Sequence, residues 1–263
     1  MAIKLQEIMQ LLEKENPLHY AMAWDNSGLQ VGNREQEIKK IFVALDATDK
    51  VIEEAIENEV DLILTHHPLI FQPLKKISTD NFIAKRVIKC IENNISIYSM
   101  HTNYDVCNMA RLGGEYLQLN NMRVLDITHQ KENGKEEGLG RVGELPETMT
   151  LKECAEHVKA CFQLPAVQVF GDLASVVQLA AVSPGSGKTL IEPALKARAQ
   201  VLITGDIGYN DGIDAVARGM QIIDAGHYGL EHIFIHHMKA ELEKWFQEIT
   251  IMEEMIQQPM QII

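Results

Sequence analysis

Short apolar runs alternate along the chain with stretches in which apolar residues recur at helical spacing. The apolar runs predict buried strands at residues 41–45, 62–64, 95–99, 176–182, 201–203 and 221–223. The helical spacing predicts amphipathic helices at residues 4–14, 50–58, 81–92, 190–197 and 227–247. Strands that alternate with helices are typical of βαβ units in a largely parallel sheet, so we expect an α/β fold.

The second half of the chain repeats the pattern of the first. Adding 139 to residues 41–65 gives another strand–helix–strand segment with the same residue types at several positions. Further on the offset is 126, which maps His101 onto His227 and Asp105 onto Glu231. A chance match of short apolar segments is the alternative, but the order of elements is kept throughout. We therefore expect an internal duplication, with two similar βαβ-containing lobes facing a shared cleft.

Polar and glycine-containing residues at 129–140 indicate a lobe boundary or an exposed loop. The predicted organisation is a first lobe at residues 1–128, a connecting region at 129–175 and a second lobe at 176–263. The connecting region is too short for a full inserted domain.

The composition excludes several classes of partner. The chain has 263 residues and a formal net charge of -13, which argues against nucleic acid and against a polybasic membrane contact. No run of 18 apolar residues is long enough to span a membrane, and the amino-terminal residues lack the apolar core of a signal peptide. Its four cysteines form no C-x-x-C pair, so we expect reduced thiols and a cytoplasmic location.

Two adjacent histidines, His66 and His67, directly follow an apolar strand. Ligands of open α/β sheets bind outside the carboxyl ends of the strands. Adjacent side chains on a strand point to opposite faces, so this pair is better suited to two ions than to one. For an isolated pair, two hydrogen-bonded structural histidines would be the better interpretation.

The pair is not isolated, because Asp105 follows another strand and His227 and Glu231 begin the last helix. His227 and Glu231 lie at i and i+4 and therefore share one helix face. Apolar residues on that same side indicate that it faces inward; they are Phe234, Met238 and Trp245. Three histidines and two carboxylates suit two divalent ions such as zinc, iron, manganese, cobalt or nickel, with Glu231 as a bridging ligand.

His101 lies four residues before Asp105, where the second half has His227. It is a candidate catalytic residue that transfers a proton. A third-site ligand, a partner of a ligand, and a histidine that only hydrogen-bonds the strand end are the alternatives.

Other residues resemble site residues without sharing this pattern. His232 and His236 fall opposite His227 on a helical wheel, so we expect both to be solvent-exposed. The segment 183–189 resembles a phosphate-binding loop, but Val182 stands where that motif needs glycine. A tight turn is favoured there over an anion cradle. Polar residues after the next strand line the site or serve as turn and capping residues; they are Asp206, Tyr209, Asn210 and Asp211.

Five motifs together resemble one known family. They are Trp24-Asp25-Asn26-Ser27-Gly28-Leu29-Gln30-Val31-Gly32, Thr65-His66-His67-Pro68, His101-Thr102-Asn103-Tyr104-Asp105, Thr204-Gly205-Asp206 and Asp224-Ala225-Gly226-His227 with Glu231. In order and spacing they resemble the GTP cyclohydrolase I type 2 homologues, also called the Nif-three-like family. The resemblance implies a two-lobed α/β fold, a dinuclear metal site and a ring-shaped homohexamer. Its ligands fall on His66, His67, Asp105, His227 and Glu231.

These observations predict a metal-dependent hydrolase of a small substrate of the nucleotide or pterin-like class. Two ions would bring the pKa of a bound water toward neutrality. A non-catalytic protein that stores, delivers or senses metal, or a scaffold stabilised by it, is the alternative. Five protein ligands for two ions leave coordination positions open, which favours catalysis.

Overall fold

The computed structural model describes residues 2–131 and 133–262. Glu132, in the predicted connection, lies outside the described residues, as do both terminal residues. The strands, in chain order, are β1 Ile3–Lys4, β2 Gly28–Val31, β3 Glu37–Ile38, β4 Lys40–Ala44, β5 Leu62–Thr65, β6 Ser96–Ser99, β7 Asn120–Gln130, β8 Glu136–Thr150, β9 Gln168–Phe170, β10 Val176–Ser186, β11 Val201–Gly205, β12 Gln221–Asp224 and β13 Thr250–Glu253.

Each of the five predicted helical segments contains an α-helix, but the chain also has α-helices that the helical spacing did not predict. They are α1 Leu5–Glu15, α2 Asp49–Glu57, α3 Phe82–Glu92, α4 Thr102–Tyr104, α5 Ala110–Tyr116, α6 Leu151–Phe162, α7 Ile191–Lys196, α8 Tyr209–Ala217, α9 His227–Glu231 and α10 Ile233–Trp245. Short 3₁₀ helices cover Leu18–Tyr20 and Lys188–Leu190, and a π-helix covers Asp105–Met109. Side-chain caps help to begin several of these helices; Thr48, for example, accepts a hydrogen bond from the Val51 amide at the start of α2. No helix among the described residues is long and apolar enough to cross a membrane.

Contacts between Cα atoms divide the chain into two compact units. Unit 1 comprises Met1–Tyr104 and Phe234–Ile256, and unit 2 comprises Asp105–Ile233 and Gln257–Ile263. The division predicted from the sequence, at residues 1–128, 129–175 and 176–263, remains a prediction about the lobes.

Unit 1 contains a five-stranded sheet in the order β13-β4-β5-β6-β2. Its first four strands are parallel, and β2 pairs antiparallel with β6 at the edge. Helices α2 and α3 pack on the sheet through a core that includes Phe42, Ile52, Ile63 and Cys90. Burial of each large apolar side chain contributes about 1.5–3 kcal/mol to the free energy of unfolding. Thr65 pairs with Ser99, so β5 and β6 end at the same edge of the sheet.

Unit 2 contains a six-stranded sheet in the order β7-β8-β10-β11-β12-β9. Strands β10, β11 and β12 are parallel, and β9 pairs antiparallel with β12 at the edge. Its core includes Val142, Leu202, Ala215 and Ile222.

The two sheets have matching strand order and direction in their central strands, which confirms the predicted α/β fold with two similar lobes. Strands β4, β5 and β6 correspond to β10, β11 and β12, and the antiparallel edge strands β2 and β9 also correspond. Helices α2 and α3 correspond to α7 and α8 in the order of elements.

The polar segment at residues 129–140 belongs largely to a hairpin. Strands β7 and β8 pair antiparallel from Asn120↔Glu144 to Gln130↔Glu136. The exposed loop is therefore shorter than the sequence suggested, because glycines such as Gly138 and Gly140 lie within β8. At Gly138 a Cβ atom would lie 2.0 Å from the Asp126 carbonyl oxygen, so the close strand approach requires glycine.

Candidate metal centre

Three histidines of unit 1 come together at the carboxyl edge of its sheet. His66 and His67 follow β5, and His101 follows β6. Each offers one ligand atom, and these atoms lie within 4.8 Å of one another, so the cluster could hold a metal ion. His66 is fully buried, whereas the side chains of His67 and His101 are 22% and 15% exposed.

The hydrogen bonds of these histidines assign their tautomers. The Nδ1 atom of His66 lies 2.7 Å from the Met100 carbonyl oxygen, which can only accept a hydrogen bond. Nδ1 therefore carries a proton, and in the neutral ring Nε2 carries the lone pair. The Nδ1 atoms of His67 and His101 likewise lie 2.9 Å from an Asp46 carboxylate oxygen and 2.7 Å from an Asp25 carboxylate oxygen. Metal-binding histidines commonly have this arrangement, in which one ring nitrogen donates to oxygen and the other ligates.

Asp25 is the central acceptor beside His101. Its side chain is fully buried and accepts hydrogen bonds from Ser27 Oγ, the Thr102 amide and Thr102 Oγ1, besides His101 Nδ1. Burial by itself would raise the pKa of this carboxyl group, but the hydrogen bonds from His101 and Thr102 lower the pKa well below its usual range. Asp25 is therefore a carboxylate that fixes the orientation of the His101 ring.

Unit 2 has candidate ligands of its own at the start of α9. His227 and Glu231 lie one helical turn apart, with Nε2 of His227 2.9 Å from Oε2 of Glu231. Nδ1 of His227 lies 2.8 Å from Oδ2 of Asp206, so a carboxylate again orients the ring.

The backbone next to this pair leaves room for it. Gly185, in β10, has a φ of 78°, and a Cβ atom there would lie 2.3 Å from Oε1 of Glu231. Gly205, at the end of β11, would place a Cβ atom 2.6 Å from the amide nitrogen of His227. Both positions require glycine, because a larger residue would collide with α9, which lies close to this edge of the sheet.

Asp105 begins the π-helix Asp105–Met109 and is partly buried. It is the first residue of unit 2. Short π-helical turns are frequent at functional sites because they redirect side chains that a regular α-helix would place elsewhere. Its role as a ligand remains a prediction.

The comparisons with known proteins agree with this architecture. The sequence pattern of the family described as Duf34/NIF3 (NGG1p interacting factor 3) matches residues 3–259. The chain belongs to this family. A Duf34/NIF3 relative from Clostridium acetobutylicum, named "GTP cyclohydrolase 1 type 2 homolog", is 36% identical over 243 residues, which cover 92% of this chain and 91% of that protein. The predicted family resemblance is therefore confirmed.

Solved structures also match along nearly the whole chain. A Bacillus cereus protein related to NIF3 superposes with a TM-score of 0.94 at 27% identity, covering 100% of this chain and 99% of that chain. Reduced HcgD from Methanocaldococcus jannaschii superposes with a TM-score of 0.81 at 30% identity, covering 96% and 98% of the two chains. The Duf34/NIF3 fold thus accounts for both sheet-containing units.

One prediction about the last helix of this Duf34/NIF3 chain was wrong. His232 is only 7% exposed, not solvent-exposed; its ring stacks with that of Tyr228 and contacts Phe162 edge-on. The helical-wheel argument failed because α9 is enclosed on several faces, with Tyr228, Gly229 and Leu230 all buried. The predicted helix 227–247 is also interrupted at His232, between α9 and α10.

The other expectations for this helix agree with the structure. The side chain of His236 is 53% exposed, and its Nδ1 atom lies 2.8 Å from Glu253. Phe234 and Met238 are buried, and Trp245 is half-buried.

The segment 183–189 forms no phosphate-binding loop. Strand β10 continues through Ser186, and the amide of Gly187 donates to the Gly205 carbonyl oxygen. The exposed Lys188 pairs with Asp211, which lies in the first turn of α8 with Tyr209 and Asn210. The segment is therefore the end of a strand followed by a turn, as the sequence favoured, and not an anion-binding loop.

Sequence reasoning missed Asp25 and Asp46 as partners of the histidines. Asp46 follows the end of β4, which neighbours β5, so its position at the same sheet edge was a usable signal. Asp25 lies 76 residues from His101 in the chain, and only its presence in the first family motif pointed to it.

Proposed function

We propose that the protein binds two divalent metal ions through His66, His67, Asp105, His227 and Glu231 and hydrolyses a small substrate. The main support for the proposal is that the histidines have the same kind of hydrogen bond at Nδ1. Three predicted ligands, His66, His67 and His227, have their Nδ1 atoms at a carbonyl or carboxylate oxygen. This pattern directs Nε2 of each ring to a metal.

The donor set limits the metals. Imidazole nitrogens and carboxylate oxygens suit borderline first-row ions, and neither a thiolate nor an all-oxygen cage is part of the proposed site. Zinc, iron, manganese, cobalt and nickel fit these ligands. The bound ions would polarise the substrate and bring the pKa of a water toward neutrality.

The protein groups have separate tasks in this proposal. Asp46 and Asp206 hold the rings of His67 and His227 in the ligating orientation. Glu231 would be a ligand of both ions. His101 transfers a proton at Nε2, while Asp25 holds the proton on Nδ1.

The substrate class follows from the relatives only in outline. Several relatives carry the name "GTP cyclohydrolase 1 type 2 homolog". We propose a nucleotide or pterin-like substrate and a homohexameric assembly for this chain.

A screen for hydrolysis tests the proposed function. The protein loaded with each of the five metals in turn should hydrolyse a member of a panel of nucleotides and pterins, and removal of the metal by chelation should abolish the activity. Metal binding without turnover of any compound would favour a protein that stores or delivers metal, or a scaffold.

Replacing Asp206 with alanine should weaken metal binding by about 10- to 100-fold, because His227 loses the acceptor that fixes its ring. Titration of the metal-free protein with zinc measures the change. Asp214→Ala, which removes an exposed carboxylate from the same unit, is the matched control and should leave the affinity unchanged. Equal affinities of the wild type and Asp206→Ala would show that Asp206 does not support a ligand.

A further inference from the structure

Two large aromatic side chains are exposed beside the histidine cluster of unit 1. Trp24 is 62% exposed and Phe71 is 46% exposed. The ring centroid of His101 lies 5.9 Å from that of Trp24 and 6.4 Å from that of Phe71. Neighbouring exposed aromatic side chains bordered by polar groups mark a candidate binding surface.

Hydrogen bonds tie together the two segments that carry these rings. Nδ2 of Asn26 donates to the Ile70 carbonyl oxygen at 2.6 Å, and the Ile70 amide donates to Oε1 of Gln30 at 3.2 Å. Nε2 of Gln30 donates in turn to the Asn26 carbonyl oxygen at 2.5 Å. Phe71 directly follows Ile70, and Trp24 lies two residues before Asn26, so these hydrogen bonds hold the backbone near both rings before a ligand arrives. Such preorganisation reduces the entropy lost on binding.

The geometry of the two rings limits what can bind. Their centroids lie 6.0 Å apart with an angle of 61° between the planes. Trp24 and Phe71 therefore cannot clamp a ligand between parallel faces. A flat ring can stack on the open face of Trp24 while Phe71 contacts its edge.

We propose that Trp24 and Phe71 form an aromatic binding surface for a planar heteroaromatic ring of the substrate. The inference rests on the proposed function, since it places the ring of the substrate beside His101. Both side chains contact the His101 ring, so a ligand that stacks on Trp24 lies within about one ring width of the histidine cluster. A planar heterocycle gains stacking energy that an aliphatic group of similar area does not.

The test uses the full-length protein loaded with zinc, with guanosine and pterin as probes and ribose as the non-aromatic control. Calorimetric titration should show binding of at least one of the two heterocycles and none of ribose. Trp24→Ala should weaken that binding by about 5- to 150-fold, as loss of one stacking partner does. Phe71→Ala should weaken it less, because Phe71 contacts only the ring edge.

Phe82→Ala is the matched control, because Phe82 is 66% exposed on α3 and packs under the Arg86 guanidinium group. It should leave the affinity unchanged. The chain has two tryptophans, so fluorescence gives a second measurement: Trp245→Phe should keep the quenching by the heterocycle and Trp24→Phe should lose it.

Three results would overturn the proposal. They are no binding of either heterocycle by the wild type, equal weakening by Trp24→Ala and Phe82→Ala, and dissociation of an oligomer by Trp24→Ala, which would make the surface an interface between copies. Metal content measured on the same samples separates the two proposals. Two bound ions without heterocycle binding would refute only the aromatic surface, whereas heterocycle binding by a protein that takes up no metal would refute only the metal-dependent function.

Discussion

Replacing Glu231 with alanine will remove most of the metal from the protein. The Glu231 side chain is 4% exposed, and its Oε2 atom lies 2.9 Å from Nε2 of His227. The substitution therefore removes a buried carboxyl group, the proposed ligand of both ions, and leaves His227 beside a cavity. A metal present at a hundred times its Kd should stabilise the wild type by about 2.7 kcal/mol, and the variant should lose this gain. Elemental analysis and thermal unfolding with and without zinc measure both effects.

Two further variants make this result specific. His236→Ala removes an exposed histidine of the neighbouring helix and should keep the metal content of the wild type. His232→Ala is unsuitable as a control because His232 is buried. Glu231→Gln keeps the volume of the side chain, so metal loss in this variant cannot be attributed to a cavity. Retention of both ions by Glu231→Ala would refute the bridging role of Glu231.

Replacing His101 with alanine should leave both ions in place and lower turnover by about 10²- to 10⁴-fold, the range expected for loss of a general acid or base. The reason lies in the asymmetry between the two halves. His101 corresponds to the proposed ligand His227, but the first half already supplies His66 and His67, for which the second half has Gly205 and Asp206. His101 is thus available for proton transfer, oriented by the buried Asp25.

Metal content and turnover must be measured on the same preparation of His101→Ala. Loss of metal would make His101 a ligand, in keeping with its place within 4.8 Å of the ligand atoms of His66 and His67. Turnover equal to that of the wild type would leave His101 a structural histidine. His236→Ala again serves as the control, because it removes a histidine without changing the cluster.

The apolar runs predicted the parallel strands β4, β5, β6, β10, β11 and β12 because these strands are largely buried. Val43, Ile63 and Ile203 lie in parallel strands covered on either side, which produces continuous apolar runs that are easy to recognise. The rule that ligands follow the carboxyl ends of such strands then led directly to His66, His67 and His101.

Features that depend on distant contacts were not predictable in the same way. The pairing of His101 with Asp25 and of His67 with Asp46 joins residues 76 and 21 positions apart. Periodicity describes only one element at a time and carries no information about such partners. The buried His232 was missed for the same reason, because a helical wheel shows which face is more polar and not whether another element covers it.

The hairpin of β7 and β8 was not recognised from the sequence for a different reason. Its polar, glycine-containing sequence resembles a loop, yet an antiparallel strand with one exposed face tolerates such residues. Only the pairing of Val124 with Arg141 and of Ile127 with Gly138 identifies this segment as a strand pair.

The ratio of metal to protein chain tests the central claim most directly. The wild type, purified without chelator and then equilibrated with zinc or with another of the five metals, should contain close to two ions per chain by elemental analysis. Absence of any bound transition metal, even after reconstitution, would contradict the account.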